Sequence, residues 1–266
     1  MNNAEFDISK VVFIDKKDIE SKNKELSGQK IDMPLINEKF TSIIINEKFY
    51  TALAHTPGFE IELAAGFCLY EGIIEKKEDI EKIILKKNKV FINIAKQKRD
   101  NISYILDKIY TYYDIDTKIK DIKKIKSSFK IDIKKSHKLL TNFSSFQDLH
   151  KKTRATHAIV IFDRNYEMIS KSEDHGRHNA ADKAIGSLFL KDTLKNAAII
   201  VFSSRISHDL LIKAARAKIP NILALSRPTM KAVSIAKKLN ITLMTLGKDD
   251  GMLVFTGLDQ FTTLLA

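Results

Sequence analysis

The segment AAIIVFSSRISHDLLIKAARAKIPNILALSRPTMKAVSIAKKLNITLMTL, residues 197–246, alternates short apolar runs with stretches in which apolar residues recur at helical spacing. Apolar runs of four to eight residues are typical of buried strands, and the stretches between them of amphipathic helices. Strands that alternate with helices predict a layered α/β fold with a largely parallel sheet.

The same alternation extends to both sides of this segment. Strands are predicted in HAIVIFD (157–163), YEMIS (166–170) and MLVFT (252–256), and a helix in RHNAADKAIGSLFLKD (177–192). The stretch SSFQDLHKKT predicts a helix that a serine caps. Pro228 is expected in the first turn of the helix that follows it, because proline suits that position.

The first hundred residues do not show this alternation of apolar runs and helical spacing. TSIIINEKFYTALAH (41–55) predicts a hairpin that turns at Asn46-Glu47, and FEIELAAGFCLYE (59–71) predicts a helix that Gly72 ends. Val11 to Ile14 indicate an edge strand or a loose arm. We therefore divide the chain into a polar N-terminal arm (1–32), a β-containing region (33–100), a connecting segment (101–140) and an α/β domain (141–266).

Composition limits the class of protein. The net charge is +12, hydrophobic residues make up 44% and cysteine occurs once, as Cys68. A single cysteine excludes an internal disulfide and a four-cysteine zinc site, and no metal site is predicted. No signal peptide or membrane-spanning run is apparent, so we expect a cytoplasmic protein without a membrane partner. The lysines are interpreted as solvated faces, and no nucleic-acid partner is expected because no binding motif accompanies them.

Three polar loops follow predicted strands: EDHGRHN (173–179), SSRISH (203–208) and SRPT (226–229). Ligands of open α/β sheets bind beyond the carboxyl ends of strands. Each loop brings hydroxyl or arginine side chains and the free N–H groups of a helix start, a combination that suits phosphate or another anion. The three loops together predict a site for an anionic, nucleotide-containing ligand.

Two interpretations of the first loop remain open. His178 and Asp182 are four residues apart on one helical face, and such a pair can orient an imidazole for acid/base work. Alternatively, Asp174 caps the helix, and Asp182 and Lys183 form local ion pairs. Three residues elsewhere favour structural interpretations: His157 as a satisfied histidine, Lys213 as a solvated lysine and Cys68 as a buried, inert thiol.

Four stretches carry a family resemblance: HTPGFEIELAAGFCLYEGII (55–74), EDHGRHNAADKAIG (173–186), SSRIS (203–207) and PTMKAVSIAKKLNITLM (228–244). Together with HAIVIFD they resemble, in order, the motifs of the formate dehydrogenase accessory sulfurtransferase family, FdhD. The resemblance extends from about residue 40 to residue 256. It implies a cytidine-deaminase-like layered α/β C-terminal domain, a smaller β-containing N-terminal domain and a homodimer.

The resemblance also implies a function. Members of this family take sulfur from a cysteine desulfurase and pass it to the molybdenum or tungsten bis-guanine-dinucleotide cofactor, which then enters the formate dehydrogenase catalytic subunit. We expect this cofactor, with GDP as its analogue, to bind the three loops. Phosphate contacts are expected from Arg177 and Arg205, and guanine contacts from Asp182. The expected binding residues are His157, Glu173, Asp174, Gly176, Arg177, His178, Asn179, Asp182, Lys183, Ser204, Arg205, Ser207, Ser226 and Thr229.

The chain departs from the family at its sulfur-carrying motif. Family members carry C-x-x-C between the two domains, whereas the corresponding stretch here, Tyr104 to Lys120, has no cysteine. No catalytic residue is therefore assigned. Four hypotheses follow: cofactor binding in aid of formate dehydrogenase maturation, sulfur transfer through Cys68, a non-catalytic scaffold or chaperone, and a basic nucleic-acid binder.

Overall fold

The computed structural model describes residues 5–16, 20, 28–95 and 119–261. Helices and strands alternate through the second half of the described chain, and strands dominate the first half. The described strands are β1 (Phe6–Phe13), β2 (Gln29–Ile36), β3 (Lys39–Ile45), β4 (Lys48–His55), β5 (Ile80–Lys86), β6 (Lys89–Ile94), β7 (His157–Phe162), β8 (Met168–Asp174), β9 (Ile199–Phe202), β10 (Asn221–Ala224), β11 (Thr242–Leu246) and β12 (Met252–Thr256). The described α-helices are α1 (Glu60–Glu71), α2 (Ile133–Thr141), α3 (Asp148–Thr153), α4 (Arg177–Leu190), α5 (His208–Arg216) and α6 (Met230–Leu239).

The largest sheet has six strands in the order β12-β11-β10-β9-β7-β8. Only β9, β10 and β11 pair in parallel, and β7 and β12 run antiparallel to their neighbours. The α/β class is thus confirmed, but the expectation of a largely parallel sheet is wrong. The connections 163–167 and 247–251 are too short for the crossover that parallel neighbours require, so they close antiparallel pairs.

A second sheet of four strands, β4-β3-β6-β5, contains the predicted hairpin. Asn46 and Glu47 connect β3 to β4 with positive φ angles of 46° and 70°. Two successive positive φ angles define the hairpin turn whose twist matches that of the strands. The Asn46 side chain also accepts a hydrogen bond from the Ile94 N–H (2.9 Å), which ties the turn to β6.

Strands β1 and β2 form a separate antiparallel pair with Phe6 opposite Ile36 and Phe13 opposite Gln29. The apolar run from Val11 therefore lies in a paired strand. Strand β2 crosses the proposed division at residues 32 and 33, and that division stays a prediction.

Helices α1 and α4 pack closely against each other. The predicted end of α1 at Gly72 is confirmed, because that residue caps the helix with φ 74°. A shared core contains Ala64 and Cys68 of α1, Ile185 of α4 and Ile200 of β9. Residues of the β-containing region and of the α/β domain therefore bury their apolar side chains together.

Two predicted helix starts are wrong. Helix α3 begins at Asp148 without a serine cap. Its first N–H groups, from Leu149 and His150, donate to the two carboxylate oxygens of Glu173, both at 2.8 Å. Helix α6 begins at Met230, and Thr229 caps it by accepting from the Ala232 N–H.

Part of the connecting segment is helical. Helix α2 lies within it, and Asp132 caps this helix by accepting from the Lys135 N–H. Of Tyr104 to Lys120, where the sequence resemblance places the C-x-x-C motif, only Ile119 and Lys120 belong to the described residues. Among the described residues, no helix is long and apolar enough to cross a membrane.

Candidate functional site

The three polar segments predicted as loops meet at one edge of the six-stranded sheet, at the carboxyl ends of its strands. The first segment is not a loop throughout, because Glu173 and Asp174 belong to β8 and residues 177–179 belong to α4. Strand β7 runs antiparallel to both β8 and β9, so the carboxyl ends of β8, β9 and β10 lie beside the start of β7. In register, His157 pairs with Asp174, and Phe202 pairs with Ala224. Strands are about 4.8 Å apart, so the edge from β8 to β10 spans about 14 Å.

Two helices begin at this edge without a side-chain cap. Gly176 precedes α4 and Ser207 precedes α5, and neither provides a side-chain hydrogen bond to the helix start. The first N–H groups of an α-helix lack partners within the helix, and the helix dipole adds positive potential there. Both helix starts therefore suit an anion.

Two buried polar atoms at these helix starts have no partner. Among the described residues, neither Arg177 Nε nor Ser207 Oγ has a hydrogen-bond partner, although each atom is buried. Leaving such a group unsatisfied costs about 1–3 kcal/mol. Both residues are only half-buried as a whole, so a bound anion can reach them.

His178 lies between these helix starts. Burial, together with the positive charges of Lys213 and Arg177, lowers the pKa of His178 to about 4, and the carboxylate of Asp209 opposes this shift. The imidazole is therefore neutral at pH 7 and can both donate and accept a hydrogen bond. His157 is also half-buried; burial and the charge of Arg177 lower its pKa.

Asp182 and Lys213 form a buried ion pair behind the edge. Lys213 Nζ donates to both carboxylate oxygens of Asp182, at 2.7 and 2.8 Å, and each side chain is only 3% exposed. The ammonium also lies 3.7 Å from the ring centroid of Tyr70. The expectation that Lys213 is solvated is therefore wrong, and Asp182 uses both oxygens inside the protein rather than orienting His178.

A second buried pair joins Asp174 to Lys183 (2.7 Å). Lys183 Nζ also donates to the Thr56 carbonyl (2.6 Å), and Asp174 accepts from the Thr56 N–H (3.1 Å) and the Gly176 N–H (2.8 Å). The expected local ion pairs of Asp182 and Lys183 are thus replaced by a pair with Lys213 on α5 and a pair with Asp174 on β8. The turn at Thr56, which on pattern alone is only a turn, anchors the N-terminal region to this edge.

The expected site residues fall into two groups. Glu173, Asp174, Asn179, Asp182 and Lys183 are engaged in the protein's own hydrogen bonds, and Ser204 is buried and donates to the Arg205 carbonyl. The second group is half-buried or exposed at the edge. It consists of His157, Gly176, Arg177, His178, Arg205, Ser207, Ser226 and Thr229.

Sequence reasoning missed two residues at this edge, Tyr70 and Asp209. The Tyr70 hydroxyl donates to Asp209 Oδ1 (2.7 Å), and His208 Nε2 lies 3.2 Å from the same oxygen. No spacing in the sequence relates residue 70 to residue 209. Their contact depends on α1 packing against α4 and α5, so only the fold brings them together.

Comparison with known proteins identifies the family. The model of the FdhD/NarQ family matches residues 36–262. The chain belongs to the FdhD/NarQ family. The resemblance inferred from the sequence motifs is thereby confirmed.

Curated relatives in this family are similar over most of their length. The sulfur carrier protein FdhD of Sulfolobus acidocaldarius is 32% identical over 222 residues, which cover 82% of this chain and 87% of that protein. Protein FdhD of Methanocaldococcus jannaschii is 32% identical over 219 residues, 82% of this chain and 86% of that protein. The sulfur carrier protein FdhD of Listeria monocytogenes is 27% identical over 246 residues, 88% of this chain and 94% of that protein.

A solved structure shows the same fold. A candidate formate dehydrogenase accessory protein from Desulfotalea psychrophila superposes with a TM-score of 0.78. The match covers 97% of this chain and 100% of that one, at 21% identity. The α/β arrangement described above is therefore the fold of an FdhD-family protein.

The single thiol of this family member is buried. Cys68 is 0% exposed, as expected from its apolar flanks, and burial raises its pKa far above the ordinary value for a thiol. A thiolate is the nucleophilic form of cysteine. In the folded protein Cys68 is therefore a core residue of α1. Among the described residues, no cluster of side chains is placed to hold a metal ion.

Proposed function

We propose that this FdhD-family protein binds the bis-guanine-dinucleotide molybdenum cofactor at the sheet edge and assists the maturation of formate dehydrogenase. The observation that carries the proposal is the pair of buried, unpartnered atoms Arg177 Nε and Ser207 Oγ. Both stand at helix starts without a side-chain cap, where phosphate oxygens satisfy such donors.

The residues at the edge fit the phosphate part of the cofactor. The Arg177 guanidinium and the Ser207 hydroxyl donate to phosphate oxygens, together with the N–H groups at the starts of α4 and α5. Arg205, Ser226 and Thr229 are exposed and extend this surface along the edge. The bound cofactor supplies the molybdenum that formate dehydrogenase uses.

The guanine base of the cofactor needs a hydrogen-bond acceptor other than Asp182, the residue expected from the sequence. Asp182 directs both of its oxygens to Lys213 and is 2% exposed, so it is not open to guanine N–H donors. Glu173 and Asp174 are likewise committed to protein N–H and ammonium groups. We therefore propose that the three carboxylates stabilise the structure of this edge and do not bind the guanine base.

Calorimetry with GDP tests this proposal. Wild-type protein is expected to bind GDP, and Arg177→Ala and Ser207→Ala are each expected to weaken binding, the arginine variant by about tenfold or more, because a charge-assisted hydrogen bond contributes about 1.5–3 kcal/mol. The matched control is Lys82→Ala, which removes an exposed cation of β5 that belongs neither to this edge nor to any other proposed site. The absence of heat at millimolar GDP, or equal weakening by the control, would contradict the proposal.

The buried thiol favours a scaffold over a sulfur carrier. Relatives are named sulfur carrier proteins, but Cys68 is inaccessible in the fold, and the sequence holds no second cysteine. We propose that the thiols for cofactor sulfuration come from a partner. Incubation with a cysteine desulfurase and labelled cysteine is expected to leave the chain without a persulfide. Label on wild-type protein that disappears in Cys68→Ala would establish sulfur carriage instead.

The partners proposed on the strength of the family are a cysteine desulfurase, the formate dehydrogenase catalytic subunit and a second copy of the chain, in the cytoplasm. Affinity purification of tagged protein from cells that express formate dehydrogenase tests the first two, and sedimentation tests the third. Recovery of the catalytic subunit, reduced by Arg177→Ala, is the result that supports a maturation role. Recovery that is unchanged in this variant would separate the interaction from cofactor binding.

A further inference from the structure

A cavity of about 400 Å³ lies at the opposite edge of the six-stranded sheet from the proposed cofactor site. Ala197 and Ala198, which precede β9, and Pro220, which precedes β10, belong to its wall. Ala198 and Ser204 are six residue steps apart along β9 and the residues that follow it, so the two edges are about 20 Å apart. The cavity is thus a separate place in the fold.

The wall of this cavity is strongly basic. Seven of its lining side chains are lysine or arginine and two are acidic, which gives a formal excess of five positive charges. Lys76 and Lys77 follow α1, and Arg216 and Lys218 stand at the end of α5. The convergence of distant segments on one concave surface is not explained by the lysine content of the sequence alone.

Three further cations come from other segments. Lys126 lies in the connecting segment before α2. Arg164 lies in the turn between β7 and β8, and Lys195 lies between α4 and β9. All three are exposed. Five lysines outside the cavity form ion pairs within the protein: Lys16, Lys39, Lys171, Lys183 and Lys213.

Helix dipoles do not cancel this charge. The ends of α4 and α5 lie at the cavity, and each helix C-terminus carries roughly half a negative charge. Two such ends offset about one of the five excess positive charges, and Asp121 and Glu71, whose charges act on Arg216, offset at most two more. The potential in the cavity therefore remains positive, and an anion gains from entering it.

The floor of the cavity is apolar. Phe189, Leu194 and Ile125 line it, together with the two alanines before β9. A volume of about 400 Å³ is within the range of small-molecule sites, about 300–1,000 Å³. Basic side chains around an apolar floor fit a ligand with several negative charges and a flat apolar part.

We propose that this cavity binds a small organic polyanion that carries two or more phosphate groups. Its phosphates lie among the lysine and arginine side chains, and its apolar part lies against the floor. The site is distinct from the proposed cofactor site in position and in residues. It therefore stands or falls independently of cofactor binding.

Calorimetry with ATP as the probe tests the proposal, with tripolyphosphate as the probe that lacks an apolar part. The double variant Arg164→Glu/Lys195→Glu is expected to weaken ATP binding at least tenfold. The matched control, Lys82→Glu/Lys231→Glu, makes the same change in net charge at exposed positions outside the cavity and is expected to weaken it twofold or less. Tripolyphosphate is expected to bind more weakly than ATP. Thermal melts establish that both double variants are folded.

Three results would overturn the proposal. Equal weakening by the two double variants would reduce the effect to overall charge. Loss of ATP binding in Arg177→Ala, with the cavity variant unaffected, would place ATP at the cofactor edge. Binding of an acidic peptide without binding of ATP would assign the surface to a protein partner. GDP also carries two phosphate groups, so the variants assign its binding: Arg177→Ala weakens binding at the proposed cofactor edge, and Arg164→Glu/Lys195→Glu weakens binding in the cavity. The two proposals therefore fail separately.

Discussion

Single buried charges at the proposed cofactor edge depend on partners that are distant in sequence. Lys213 pairs with Asp182, 31 residues away, and Lys183 contacts Thr56, 127 residues away. Sequence reasoning weighs a lysine against its neighbours within one or two helical turns, and on that basis Lys213 reads as solvated. The identity of the loop residues at the edge was predictable, because strand ends and helix starts are local patterns. Which of them stay open to a ligand was not, because long-range pairs decide it.

The first prediction concerns the buried pair of Asp182 and Lys213. Lys213→Met is expected to lower the free energy of unfolding by about 3–5 kcal/mol, because it leaves a buried carboxylate without its partner. Urea unfolding followed by circular dichroism measures the loss. The double variant Asp182→Leu/Lys213→Met is expected to recover most of it, since no charge then remains buried. A double variant less stable than Lys213→Met would show that the pair itself is not the source of the loss.

The second prediction concerns pH. The pKa of His178 falls from its ordinary 6.5 to about 4 in the fold, so the unfolded chain binds a proton that the folded protein does not. The preference of the folded protein for a neutral His178 therefore lowers the free energy of unfolding at acidic pH. The loss begins as pH falls below 6.5 and grows as pH approaches 4. His178→Gln is therefore expected to lose less thermal stability than wild type between pH 7 and pH 5.

Melting curves of both proteins at the two pH values test this prediction. Burial raises the pKa of Asp182 to about 6, so that carboxyl titrates in the same range. It does so in both proteins, and the difference between them isolates His178. An equal drop in melting temperature would mean that His178 protonates in the folded state as readily as in the unfolded chain.

At the scale of elements, the crossing of α1 and α4 depends on two glycines. A Cβ atom at Gly66 would lie 2.1 Å from the Asp182 carbonyl oxygen, and one at Gly186 would lie 1.9 Å from the Glu62 carbonyl oxygen. Backbone atoms cannot move aside as a flexible side chain can. The close approach of the two helices, which carries Tyr70 to the cofactor edge, therefore requires glycine at both positions.

The third prediction follows from this crossing. Alanine is favoured over glycine in a helix by about 1 kcal/mol, yet Gly66→Ala is expected to destabilise the protein by about 1–3 kcal/mol or more, because the added methyl group forces the helices apart. Ser187→Ala, one position after Gly186 on α4, is the control and is expected to change stability little. Chemical denaturation measures both. A Gly66→Ala protein as stable as wild type would show that the helices separate at no cost.

Local sequence patterns predicted which helices and strands are present better than they predicted the residues at which those helices and strands begin. Helical spacing of apolar residues located α1 and α4, and short apolar runs located β7, β9, β10 and β11, whose residues are almost all buried. The start of α3 was wrong because its cap is the carboxylate of Glu173, which comes from a strand 20 residues later in the chain. The helix α2 was missed because it lies in a lysine-rich stretch interpreted as a connection, although Ile133, Ser136 and Leu140 share one buried face.

At the scale of the whole molecule, the N-terminal region is fastened to the α/β domain at the turn that begins with Thr56. Its N–H donates to Asp174, its carbonyl accepts from Lys183, and its hydroxyl accepts from the His175 N–H at 3.0 Å. Asp174 also accepts from the Gly176 N–H at the start of α4. The same carboxylate therefore holds the N-terminal region in place and shapes the helix start proposed to bind phosphate.

The fourth prediction tests that coupling. Lys183→Met leaves Asp174 buried without its ammonium partner and is expected to cost about 3–5 kcal/mol of stability. Because Asp174 must then find other donors, the start of α4 shifts, and GDP affinity is expected to fall at temperatures where the variant is still folded. Lys171→Met is the control. Lys171 lies on β8, as Asp174 does, but its ion pair with Asp148 is exposed to solvent and therefore weak. Denaturation and calorimetry on both variants separate the effects. A Lys183→Met protein that loses stability but binds GDP as wild type does would show that the fastening of the two regions is independent of the binding edge.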